Sequence, residues 1–233
     1  MELTNKKILI VGGTSGFGKQ VALDVQSLGA KVTVIGHDFD RTKKFTEETS
    51  IKGIALNAQD KSELENFFED KKFDHIISTL GGAMGGGFLD SSMELLRRTI
   101  EDKFFANLQL AKIAVKHLNE SGSLILTSGS GGHPYDASGA IIGNQAINTL
   151  IAGLGVELAP DKRANAVSPT WTPTGLWRDM SNEQIEQQKN DFSKGVPLKR
   201  VSTVKEVASA YIYLMQNDFV TGQVLRVDGG VDL

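Results

Sequence analysis

The chain has 233 residues, 40% of them hydrophobic and 23% charged, with 25 Lys and Arg against 28 Asp and Glu for a net charge of -3. That balance fits one globular domain over residues 1–233 and provides no basic field for nucleic acid or anionic lipid. Cysteine is absent and the four histidines, His37, His75, His117 and His133, lack metal-ligand spacing, which argues against disulfides, thiolate nucleophiles and zinc.

The first residues lack the order of a signal peptide and lead straight into a strand, so a cytoplasmic protein is expected. From there apolar runs rich in β-branched residues alternate with helix-period segments to the end of the chain. The alternation predicts βαβ units, hence a Rossmann-type, doubly wound α/β domain with a seven-stranded parallel sheet. Strands are expected over 7–11, 31–35, 53–56, 75–79, 123–127, 165–167 and 224–227. Helices are expected over 17–28, 41–47, 61–69, 93–117, 140–157 and 204–215. Val21, Val25 and Leu28 form the apolar stripe of the first helix, and Thr203 with Glu206 reads as a capping box for the last. The segment from Ala137 to Val156 is uncharged and long enough to span a bilayer, yet its Asn, Gln and Gly content favours a helix buried against the sheet and another subunit. The stretch 171–199 breaks the βα rhythm with two prolines, Pro173 and Pro197, and a short polar helix near 182–191, which suits a lid over a site.

Directly after the first strand comes Val11-Gly12-Gly13-Thr14-Ser15-Gly16-Phe17-Gly18. Residues without a Cβ at 12, 16 and 18 let the chain turn sharply, approach a pyrophosphate and pack helix on strand. The loop therefore reads as a dinucleotide cradle formed by Gly12, Thr14, Ser15, Gly16, Phe17 and Gly18.

At this point the chain resembles the short-chain dehydrogenase/reductase family, over nearly its whole length. The family's Thr-Gly-x-x-x-Gly-x-Gly loop matches 11–18, with Val11 in place of Thr. Its adenine-contacting Asp falls at Asn57, and its Asn-Asn-Ala-Gly falls at Ser78-Thr79-Leu80-Gly81. Its helix Asn falls at Asn107, its Asn-x-Val-x-Pro-Gly run at 165–170 with Pro169, and its nicotinamide-side Thr at Thr174. The resemblance implies an NAD(P)-dependent oxidoreductase acting on a small molecule, with pairing of its long helices into a homodimer or homotetramer. The second strand ends Ile35-Gly36-His37-Asp38. His37 stands where NADP-using relatives place an Arg and Gly36 where NAD-using ones place an Asp, which favours NADP, while Asp38 pulls the other way and leaves NAD possible.

In this family a Ser, a Tyr and a Lys four residues after the Tyr perform the acid/base work. Ser128 matches the Ser, but the other two positions hold Ile141 and Gln145. Isoleucine has no proton to give, and an alcohol is too weak an acid to replace an activated phenol. The loop after Ser128 carries two substitutes, His133 as a proton-transfer group and Tyr135 as a hydrogen-bond donor. If hydride transfer occurs, Ser128 orients the substrate carbonyl, Asn107 holds a water or the helix, and the proton comes from His133, Tyr135 or solvent, a weak or unconventional transfer. The alternative is a non-catalytic NADP(H)-binding protein. A second glycine-rich stretch from Gly81 to Gly87 is expected to approach the nicotinamide ribose or to give a substrate room, and Trp171 and Trp177 to offer it a flat apolar surface.

Overall fold

The computed structural model describes residues 2–82 and 85–233. Seven strands run parallel in the order β3-β2-β1-β4-β5-β6-β7. They are β1 (Lys7–Val11), β2 (Lys31–Gly36), β3 (Lys52–Ala55), β4 (Phe73–Ser78), β5 (Leu118–Thr127), β6 (Arg163–Pro169) and β7 (Val224–Val227). Among the described residues eight α-helices accompany the sheet: α1 (Gly16–Ser27), α2 (Phe39–Thr49), α3 (Lys61–Phe68), α4 (Met93–Ile100), α5 (Ala106–Ala114), α6 (Ser138–Glu157), α7 (Asn182–Gly195) and α8 (Val204–Gln216).

Side chains alternate across a strand, so one run of apolar residues feeds two cores. Leu9, Val11, Ile76, Leu124 and Leu126 meet Phe67, Phe68, Leu110, Ile147 and Ile151 of α3, α5 and α6 on one face. Ile8, Ile10, Val34, Ile77 and Ile125 meet Val21, Val25, Phe45, Val207 and Tyr211 of α1, α2 and α8 on the other. The chain first builds outward from β1 to β3 and then crosses back to β4, so the strand order reverses beside β1. In such sheets the crevice at the carboxyl ends, where the loops diverge, is the ligand site.

Two expectations need correction. Leu28 is not in the buried stripe of α1; it stands one residue beyond the last helical position, 44% exposed, and Ala22 joins Val21 and Val25 inside. The helix expected over 93–117 is interrupted by a π-helical turn at Glu101–Phe105 between α4 and α5, and ends in a 3₁₀ turn at Val115–His117. From the start of α5 the Asn107 side chain donates to Lys103 O, inside the wide turn, at 2.6 Å, an extra partner that a regular helix does not need.

Along α6, Gly143, Ile147, Ile151 and Gly155 face inward while Ile142 and Val156 are exposed, 40% and 78% respectively. The capping box of α8 forms as expected: Thr203 Oγ1 accepts from Glu206 N, and Thr203 N donates to the Glu206 carboxylate at 2.8 Å.

Candidate active site

A cavity of about 940 Å³ opens at the carboxyl edge of β1, β2, β4, β5 and β6. Its floor is the turn from β1 into α1. Gly12 has φ +82°, and a Cβ there would lie 2.6 Å from Thr79 Oγ1. At Gly18 a Cβ would lie 2.7 Å from Gly12 O. A side chain at Gly12 would therefore push the loop off the end of β4, and one at Gly18 would push it off the helix. Gly12, Thr14, Ser15, Gly16 and Phe17 line the cavity; Gly18 instead permits the close packing of loop and helix. The Ser15 side chain caps nothing and the first turn of α1 carries no acid. Its N–H groups are thus available to an anion, the arrangement a pyrophosphate needs.

Beyond the loop the cavity is walled by His37 and Arg41 on one side and by Asn57, Leu80, Gly81, Pro169 and Thr174 on others. Gly36 is glycine for a packing reason, since a Cβ there would lie 2.6 Å from Thr14 Cγ2 and would also overlap Thr42 Oγ1. Asp38 turns to cap α2, accepting from Arg41 N at 2.7 Å, and that bond holds its carboxyl below the usual range. Arg41, which sequence reasoning passed over as one charge in a polar helix, joins His37 and Arg178 at this end. Ala83 and Met84 of the second glycine-rich stretch lie outside the described residues; Gly81 and Gly82 line the cavity.

At the opposite end, Ser128 is buried on the cavity wall, its Oγ 2.6 Å from Asn148 Oδ1. Ile141 lines the wall beside it and Gln145 is exposed on the outside of α6. Asn107 is fully buried: its side chain receives Ser78 Oγ at 2.6 Å and donates to Lys103 O, so it ties the wide turn to β4. His133 and Tyr135 are not brought to Ser128. Their rings stack on each other, 5.1 Å apart, at exposed positions off the cavity wall, Tyr135 being 73% exposed. The other tyrosines do not line the cavity either; Tyr211 is held in the far core by Thr127 Oγ1 at 2.6 Å, its phenol pushed upward by burial.

Lys103, unnoticed in the sequence because it sits in an ordinary polar position of a long helix, reaches the same wall. It is only 7% exposed, and its Nζ donates to Ser128 O at 3.0 Å. Two further polar atoms on the wall, Asn144 Oδ1 and Thr170 Oγ1, are buried with no hydrogen-bond partner among the described residues. Trp171 stacks on Trp177 at 5.8 Å and touches Phe192, closing the cavity with an aromatic panel from the stretch 171–199. Each indole N–H is anchored, Trp171 to Gln188 and Trp177 to Thr172 O. The glycine cradle, the uncapped helix end and the orphaned oxygens fit an elongated dinucleotide with a substrate at its far end.

Comparison with known proteins agrees with this geometry. A family model described as enoyl-(acyl carrier protein) reductase matches residues 11–232. The short-chain dehydrogenase/reductase fsr5 of Gibberella fujikuroi is 30% identical over 253 aligned positions, covering 98% of this chain and 95% of that protein. Carbonyl reductase family member 4 of Xenopus laevis is 24% identical, covering 98% of this chain and 99% of its own. A solved small-chain dehydrogenase in complex with NADPH shares 28% identity and superposes with a TM-score of 0.84 over 97% of this chain and 98% of that one. Ligand-free aldohexose dehydrogenase from Thermoplasma acidophilum, 22% identical, has the same fold, with a TM-score of 0.89 over 99% and 95% of the two chains.

Proposed function

Because this chain belongs to the short-chain dehydrogenase/reductase family of NAD(P)-dependent oxidoreductases, we propose that it uses NADP(H), in preference to NAD(H), to interconvert an apolar carbonyl compound and its alcohol. The observation that carries the cofactor preference is the pairing of Arg41 with a diverted Asp38. The carboxylate that would repel a 2′-phosphate is spent on the N-terminus of α2, while the guanidinium groups of Arg41 and Arg178 and the His37 imidazole lie at that end of the cavity. Asn57, Leu80, Gly81, Pro169 and Thr174 are the further cofactor contacts. A bound nicotinamide dinucleotide supplies or takes up hydride at the carbonyl carbon. Ser128, whose hydroxyl donates to Asn148 Oδ1 without substrate, turns that proton to orient the carbonyl oxygen, Asn107 keeps the wall in place, and the panel of Trp171 and Trp177 holds an apolar body and excludes water. Self-association through the exposed apolar side of α6, at Ile142 and Val156, fits the same reading, and a cytoplasmic location suits a chain without cysteine.

Melting curves with NADPH and NADH test the preference. NADPH is expected to give the larger rise, by ligand linkage. Arg41→Ala should weaken NADPH about tenfold or more and leave NADH nearly unchanged, since the lost group is a charge-assisted phosphate contact and the cap uses only the backbone N–H. Equal rises with both cofactors, unaltered by Arg41→Ala, would remove the preference. A second reading, a non-catalytic NADP(H)-binding protein, is favoured by Ile141 and Gln145 at the acid/base positions. It expects the same rise in melting temperature and no oxidation of NADPH by any carbonyl.

A further inference from the structure

The cavity has a substrate wall with a hydroxyl at Ser128, an aliphatic group at Ile141 and no phenol. It does have a primary amine. We propose that Lys103 is the proton donor of this site, delivered to the carboxyl edge by the π-helical turn Glu101–Phe105 in place of the missing phenol. The proposal rests on the dinucleotide reading above and extends it to the acid of the reaction.

Three independent features converge on this side chain. The first is position: Nζ is 3.0 Å from Ser128 O, beside the residue expected to orient the carbonyl, and this one bond leaves the other ammonium protons for a ligand. The second is space. A Cβ at Gly81, after β4, would lie 2.5 Å from Lys103 Cδ, and one at Gly143, on α6, would lie 2.7 Å from Cγ. Two glycines from different elements thus leave a passage that the lysine stem fills, and Gly143 is two residues from Ile141. The third is the absence of a counter-ion. A buried lysine kept for structure is ordinarily paired, and none of the ion pairs among the described residues includes Lys103.

The charged groups around it point elsewhere. Glu101, Glu94, Arg97 and Arg98 on its own and the preceding turn, Lys112 on α5 and Glu157 on α6 are exposed. Asp102, next in the chain, is taken by Gln59 at 2.9 Å. Burial without compensation lowers the Lys103 ammonium from its ordinary value to about 8. It therefore holds a proton at neutral pH and releases it readily. The π-helical turn is the device that aims it, and such turns recur at functional sites.

The step balances as follows. As the carbonyl carbon gains hydride from reduced nicotinamide dinucleotide, the C=O π pair moves onto oxygen. Lys103 gives that oxygen one proton, an O–H bond forms, an N–H bond breaks, and the neutral amine is reprotonated from solvent. The products are an alcohol and the oxidised dinucleotide. In the reverse direction the neutral amine is the base.

The test uses the full chain, with Lys103→Met and Lys103→Arg, Lys103→Ala for chemical rescue alone, and His133→Ala and Tyr135→Phe as controls. NADPH oxidation is followed against a panel of aryl and alkyl aldehydes and ketones, and lysine Nζ is titrated by NMR in ¹⁵N-lysine-labelled protein without ligand. The expected result is one Nζ titrating near pH 8 that vanishes in Lys103→Met. Turnover should fall by about 10²–10⁴-fold in both lysine variants and stay unchanged in the controls. The wild-type reduction rate should decline above about pH 8, a limb absent from Lys103→Met, and small alkylammonium ions should restore part of the rate to Lys103→Ala. Both lysine variants should keep the NADPH melting shift, which also shows that they fold. Ordinary titration of every lysine, unchanged turnover in Lys103→Met, loss of its NADPH shift, or NADPH binding by the wild type without turnover of any panel member overturns the donor role. Absence of an NADPH shift in the wild type itself is a different failure: it removes the dinucleotide reading, and the donor role falls with it.

Discussion

Lys103 carries an energetic signature at the scale of a single residue. A cation moved out of water with no opposite charge beside it favours the unfolded chain. Because its folded value is about 8 against an ordinary 10.5, the native state binds the proton less tightly than the unfolded state does. The cost is therefore full below about pH 8 and is relieved as pH rises from about 8 toward 10.5. Lys103→Met should be more stable than the parent at pH 7 by up to about 3 kcal/mol. Urea denaturation at pH 7 and at pH 10 checks this, and the gap should shrink at the higher pH. A variant that is less stable at pH 7 would mean that the stem's packing outweighs the buried charge. Nothing near Lys103 in the sequence marks it out. Its partners are Gly81, Ser128 and Gly143, and only folding brings these together. The glycine loop at 12–18 was legible for the opposite reason, since its spacing is read from one short stretch of chain, although the contact that requires Gly12 comes from Thr79.

Elements were legible where a local rule decides them. The Thr203–Glu206 box is such a rule, with both partners inside one turn. Thr203→Ala should lower stability by about 1 kcal/mol, read as a drop in melting temperature. The increment added by NADPH should stay the same, because Thr203 and Glu206 do not line the cavity. Strand interiors were found from their apolar runs, but β5 begins at Leu118 rather than near Ser123. Leu118 pairs with Phe73 and Ser123 with His75, so the polar residues between Leu118 and Ser123 fall in a shift of register that no hydrophobic period reports. The break between α4 and α5 was hidden for a related reason: a wide turn leaves the apolar rhythm intact and needs Asn107 held from β4 to be recognised.

For the whole molecule, the sheet imposes a pH limit of its own. His75 lies in β4, between β1 and β5, with its Nδ1 2.8 Å from Ser123 Oγ. Burial is the main cause that lowers it to about 4; nearby Arg163 and Lys6 push the same way, and Asp74 opposes. The folded protein keeps this ring neutral while the unfolded chain protonates it near 6.5. Stability should thus be intact above pH 6.5 and decline as pH falls toward about 4. His75→Gln should flatten that decline in acid melts. The topology was readable because strict βα alternation leaves few ways to wind the chain. The acid of the site was not, and the substitutes expected at His133 and Tyr135 sit on a loop that the fold turns outward.

The aromatic panel has a practical corollary. The chain has two tryptophans, and both are in the cavity wall. Ultraviolet emission from this protein is therefore a local signal from one surface rather than an average over the molecule. Reduced nicotinamide absorbs where indole emits, so a dinucleotide settling below the panel should quench that light and brighten its own, giving occupancy without any attached label.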